Sequence, residues 1–209
     1  MIKVEVWSDV SCPFCWLGKA RLDAAIASTQ INAEVVMRSF QLNPDIKTDP
    51  EVSLFDYLHR AKGYPPDQVK QINLRLSESG RQAGLNFNFE KVVVANTMRA
   101  HSLIKYASRT SVGSAVTSAL FRAYFSEGQN VDDLETLQSI AEQNGMDKID
   151  FLNAVSTGRF TSEILADISE ASSLNVRGVP FFVFNRKFAI SGAQEQSVFE
   201  QALRDLNAP

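Results

Sequence analysis

Cys12 and Cys15 are the only cysteines in this 209-residue chain, and they stand together in Ser11-Cys12-Pro13-Phe14-Cys15-Trp16. Two thiols at this spacing suit disulfide exchange, in which one thiolate attacks and the second thiol releases what the first has captured. An unperturbed cysteine of pKa about 8.5 is only about 3% ionised at pH 7, so an attacking thiol needs help. A helix N-terminus offers unpaired amides and the positive end of its dipole, and thiols so placed reach pKa values of roughly 3.5–7.5. At a pKa near 6, about 90% of Cys12 would be thiolate at neutral pH. The expectation is an exposed nucleophile at Cys12 and a deeper resolving partner at Cys15. Two inert core thiols are one alternative. A zinc site is the other, but it needs two more ligands, and His59 and His101 lie far from the spacing of three to five residues that zinc ligands favour. No metal is expected.

The flanking residues supply the helix start. Ile2, Val4 and Val6 alternate with Lys3 and Glu5, the pattern of a strand with one buried face. After the cysteines, Leu17, Ala20, Ala24 and Ala25 are spaced to share one side of a helix. Pro13 fits the first helical position, because its ring fixes a helical φ and its missing N–H would have had no partner. Cys12 is then the N-cap, with Cys15 one turn on along the same face. Ala33–Phe40 reads as a second strand, stopped by Asn43-Pro44. Strand, helix and strand make a βαβ unit with a parallel pair.

From about Thr48 the pattern is helical for more than a hundred residues, including a segment over Ser53–Lys62 and one marked by Val69, Ile72 and Leu76. Asn96 is placed to cap a helix bearing Ala100, Leu103, Ile104 and Ala107, and Asp132 with Glu135 resembles a capping box. Strands return at Phe181–Phe184 and Lys187–Ile190 around a two-residue Asn185-Arg186 turn, and a helix with Val198, Phe199, Ala202, Leu203 and Leu206 closes the chain. The expected architecture is α/β: residues 1–46 and 165–209 form a small sheet domain, interrupted after the first βαβ unit by an all-helical insertion over 47–164.

Composition narrows the partners. The formal charge is −3, without any run of Lys or Arg, so no nucleic acid or anionic membrane surface is expected. No apolar run approaches the 18 or so residues of a membrane span. Met1 leads at once into the first strand, which gives the expectation of a cytoplasmic protein without a leader.

Taken in order, Asp9–Gly18 (with Cys12-Pro13-Phe14-Cys15), Phe40-Gln41-Leu42-Asn43-Pro44, Asn96–His101, Phe121–Phe125, Gly178–Phe184 and Ser191-Gly192-Ala193-Gln194 run through nearly the whole chain. Together they resemble the thioredoxin fold in its DsbA-like branch, and in particular the cytoplasmic FrnE-type oxidoreductases and isomerases. A second cysteine pair found in some of those proteins is missing here, so activity depending on it does not transfer. The resemblance implies a thiol–disulfide oxidoreductase acting through a mixed disulfide on protein or small-molecule thiols and disulfides. It implies no tightly bound cofactor, with glutathione or another small thiol as recycling partner.

It also implies a cis peptide at Val179-Pro180 packed against the cysteines, where the Val179 backbone can pair with an extended substrate. Pro13 and Phe14 support the site as the residues between the thiols. His101 either faces the cleft and adjusts the Cys12 thiolate or is a structural residue at the edge of its helix's apolar stripe; Phe40, with Phe14, either rims the cleft or belongs to the core. His59, beside Arg60 and Lys62, reads as surface. A rival reading is a glutathione-dependent isomerase of the kappa-like, 2-hydroxychromene-2-carboxylate isomerase-like branch, whose members carry serine where this chain has Cys12. Another is a redox-sensing chaperone. A monomer and a homodimer are both compatible with the sequence.

Overall fold

Alternating β-branched residues make β1 (Ile2–Ser8), and Pro13 starts α1 (Pro13–Thr29) with Cys12 as its N-cap at φ −98°. Gln30 ends α1 in the left-handed region at φ 55°, its N–H donating to Ile26 O, and the chain turns into β2 (Ala33–Ser39). Helices follow: α2 (Leu54–Lys62), α3 (Pro66–Gln82), α4 (Met98–Ala107) and α5 (Gly113–Arg122), which runs on into a π-helical turn at Ala123–Glu127. Then come α6 (Leu134–Gln143), α7 (Lys148–Ser156), α8 (Thr161–Ser173), β3 (Phe181–Phe184), β4 (Phe188–Ser191) and α9 (Gln196–Asn207). These elements come from a computed structural model that describes residues 1–208, Lys62 through its backbone only.

The chain divides into two compact units, Met1–Leu42 with Ser162–Pro209, and Asn43–Thr161. In the first, the sheet order is β2-β1-β3-β4, with β1 parallel to β2 and antiparallel to β3. Val4 and Val6 lie opposite Phe184 and Phe182, and this face packs under α1 and α9; the Phe182 and Phe199 ring centroids are 4.8 Å apart. Glu5 and Trp7 occupy the other face, where Trp7 joins Ala171 of α8, Val176 and Val183 in a buried cluster.

The single buried face expected of β1 is therefore two. Lys3 at the start of the strand is exposed, but Glu5 is only 2% exposed, because from there on the strand is paired on both sides and covered above and below. In α1, Ala24 is exposed and the burial falls instead on Trp16, Gly18, Lys19 and Leu22. The β3–β4 connection is Asn185–Lys187, one residue longer than the expected pair, and Asn185 and Arg186 both take positive φ, 48° and 56°.

Among the described residues the regular elements of the second unit are helices, with one isolated antiparallel bridge between Asp49 and Val94. Phe151, Phe160, Leu103, Leu120 and Leu137 are fully buried in it. Asp133, not Asp132, caps α6, accepting from Thr136 N at 2.8 Å, while Asp132 accepts from Thr48 Oγ1 at 2.6 Å. Asn96 serves α4 from one residue before its N-cap, accepting from Met98 N at 2.9 Å.

Candidate active site

The turn from β1 into α1 is held by Asp9. Its backbone carbonyl accepts from Cys12 N at 3.0 Å. Its buried carboxylate accepts from Ser11 N at 3.2 Å and from Leu42 N at 2.7 Å, tying the cysteine turn to the chain beyond β2. Pro13 then sets the first helical residue, and Cys15 N donates back to Cys12 O at 3.0 Å.

Both thiols are free. Cys12 is 4% exposed and Cys15 1%, so the nucleophile expected on the surface is largely covered, and the residue that stands out is Phe14, 44% exposed. Val179 lies beside Cys12, its carbonyl accepting from Cys12 Sγ at 3.5 Å. No first-turn amide bonds to the Cys12 side chain, so the sulfur sits at the helix start without a direct cap. Cys15 lies deeper. Burial, followed by a hydrogen bond to Cys12 and the charge there, pushes its pKa well above the ordinary thiol value, against the Ser8 hydroxyl and the Asp9 backbone N–H, which donate to its sulfur.

The Val179-Pro180 peptide is cis. Gly18 of α1 lets the helix approach this loop, since a Cβ there would lie 3.0 Å from both the Pro180 ring and Phe182. Pro180 O accepts from Gly192 N at 2.8 Å. Phe40 is half-buried against the Trp7 cluster, in company with Val179 and Phe181. His101 lies in α4 of the helical unit at 1% exposure, inside the buried face and not at its edge. His59 is exposed, its Nδ1 2.9 Å from Tyr64 O.

An ionic layer under the sheet escapes the sequence analysis. Glu5 accepts from Arg38 Nε at 3.1 Å and from Arg186 Nη2 at 2.6 Å, and both arginines make further contacts to the same carboxylate. Arg38 also pairs with Asp167 of α8 at 3.0 Å, and Asp167 accepts from Ser39 N at 2.8 Å and, by its backbone carbonyl, from Trp7 Nε1 at 2.9 Å. Burial would raise the Glu5 pKa, but hydrogen bonds from Arg186 and Arg38 and their charges outweigh it and lower it to about 2. The signal available in the sequence was an acid at the centre of the first strand with an arginine in the next.

Among the described residues no three His, Cys, Asp or Glu side chains gather as a metal site, and no helix is long and apolar enough to cross a membrane. A thioredoxin-type sheet with a free cysteine pair at the head of α1 is the class of protein that this geometry defines. The chain belongs to the DSBA-like thioredoxin domain family, whose model matches residues 3–204. It is similar to a probable DsbA oxidoreductase from Streptomyces coelicolor, with a TM-score of 0.89 and 31% identity over 98% of this chain and 89% of that one. A 2-hydroxychromene-2-carboxylate isomerase shares the fold at a TM-score of 0.74 and 18% identity, covering 98% of this chain and 96% of its own. The cytosolic disulfide reductase DsbM from Pseudomonas aeruginosa, in its structure with glutathione, matches at 0.71 and 15% identity, covering 99% and 100%.

Proposed function

We propose that this chain is a FrnE-type thiol–disulfide oxidoreductase, working in the cytoplasm on protein or small-molecule disulfides. The observation that carries this reading is a pair of free thiols at one helix start, Cys12 as its N-cap and Cys15 buried one turn behind it. In the reducing direction, the Cys12 thiolate attacks a substrate disulfide R–S–S–R′, forming Cys12–S–S–R and expelling R′S⁻, which takes up a proton. Cys15 then loses its proton and attacks Cys12 Sγ. This releases RS⁻ and leaves the Cys12–Cys15 disulfide, so the substrate gains the two electrons that the dithiol loses. Two equivalents of a small thiol restore the dithiol and leave as its disulfide. The oxidising direction is the same sequence reversed.

Each neighbour has a part in this scheme. Phe14 offers an apolar contact beside the attacking sulfur, and Val179 offers backbone groups to an extended substrate next to it. Pro180 brings that backbone to Cys12 without an N–H of its own. Glutathione fits as the recycling thiol, and its presence with the similarly folded DsbM supports that choice. The test is insulin reduction by dithiothreitol or glutathione: Cys12→Ser abolishes the acceleration, and a variant as active as the wild type overturns the reading.

A further inference from the structure

The apolar layer between the sheet and α9 continues past the point where its cover ends. Phe182 and Phe184 of β3 are fully buried on this face, and their ladder partners Ile190 and Phe188 extend it across β4. There Phe188 is 37% exposed and Val198 of α9 41%. With Ile190, Ala202 and Leu206, and with Lys187 and Asp205 among its polar lining, they form an open groove of about 630 Å³ between β4 and α9. β4 is also the last strand of the sheet. Because Gly192 N donates inward to Pro180 O, alternation turns the N–H groups of Ala189 and Ser191 outward. Ser191 O accepts from Gln194 Nε2 at 2.8 Å, whereas the outward groups of Ala189 meet no partner among the described residues. Phe188–Ser191 holds no charge and no proline, the residues that ordinarily blunt an open edge.

We propose that two copies of this chain pair antiparallel through β4, extending the sheet across a two-fold axis at Ala189. Unpaired backbone groups fit a strand, and an apolar groove beside them fits a strand with apolar residues at alternate positions. β4 itself is such a strand, so the surface is complementary to its own copy. Ala189 exchanges both outward bonds with the second copy's Ala189, and Ser191 N reaches the second copy's Lys187 O. Phe188 comes opposite the second copy's Ile190, which closes both grooves on one side of the joined sheet. Charge placement selects this direction: antiparallel pairing sends the two Lys187 side chains to opposite ends, whereas parallel pairing stacks them, and like charges directly opposite destabilise a ladder.

The test is the solution mass of the full chain by sedimentation or light scattering over a dilution series. The wild type is expected at twice the 23.2 kDa of one chain. Ala189→Pro removes an outward donor and leaves the bonds to β3, and Val198→Asp puts a charge into the groove without touching the strand. Each is expected at the single-chain mass, with an unchanged circular dichroism spectrum and unchanged insulin reduction. If Ala189→Pro fails to fold, Val198→Asp decides alone. A wild type at the single-chain mass throughout, as expected if the groove instead receives another protein's strand, overturns the proposal. So does a dimer that folded Val198→Asp leaves intact.

Discussion

Val4 and Val6 point from β1 into a layer of Phe182, Phe184, Phe199 and Leu203, all fully or nearly fully buried and all apolar. Glu5 and Trp7, the alternate residues of the same strand, point into a layer that joins carboxylates and guanidinium groups under α8. Burial on the first face is favourable at any pH. On the second it holds only while the carboxylates are charged, because a buried ion left without its partner is costly. Each face also carries one part of the site. The apolar face brings Gly18 of α1 against Pro180, and the ionic face seats Trp7 in the cluster where Val179 packs.

The largest expected effect lies on the apolar face. Phe199→Ala should cost about 3–5 kcal/mol by denaturant unfolding, and by the same amount at acid and neutral pH. A strongly pH-dependent loss would show that the two layers are not separable. On the ionic face, Glu5 is lowered from an ordinary 4.5 to about 2, so its contribution is present above 4.5 and is lost as pH falls through about 2. That difference corresponds to about 3 kcal/mol at neutral pH. Glu5→Gln should therefore lose about 2–3 kcal/mol at pH 7, part of the loss being recovered as Arg186 rehydrates, and should converge with the wild type near pH 2. An unchanged acid limb in that variant would contradict the role of the carboxylate.

A smaller effect is expected where the apolar face meets the site. Gly18→Ala forces a methyl against Pro180 and Phe182 at 3.0 Å and should cost about 1–3 kcal/mol. Because the contact positions the loop over Cys12, insulin reduction should slow as well. A loss of stability with full activity would separate the packing of Pro180 from the chemistry of the thiols.

Features set by neighbours in sequence were legible in it. The strand–helix turn, Cys12 at the cap, Pro13 behind it and the βαβ order all follow from local pattern, and the DsbA-like α/β architecture stands as read. Choices between adjacent residues were not: either Asp132 or Asp133 can cap α6, and the selection rests on the tie of Asp132 to Thr48, a residue far away in the chain. Glu5 reads as solvent-facing for the same reason, since its partners Arg38 and Arg186 are 33 and 181 positions distant. Cys12 also has a distant partner, the Val179 carbonyl 167 positions on. Phe40 shows the converse case. An aromatic just past a strand reads equally as rim or core, and at half burial against the Trp7 cluster beside Val179 it keeps a share of each.

The role split between the two thiols is tested most directly by trapping. Cys15→Ser removes the resolving sulfur and leaves Cys12 in place, so incubation with a disulfide substrate followed by acid quenching and peptide mass mapping should find a stable mixed disulfide on Cys12. Cys12→Ser under the same conditions should yield no adduct, because the thiol that remains is buried and burial pushes its pKa up. Adducts on Cys15 in that variant, or none on Cys12 in the first, would contradict the account.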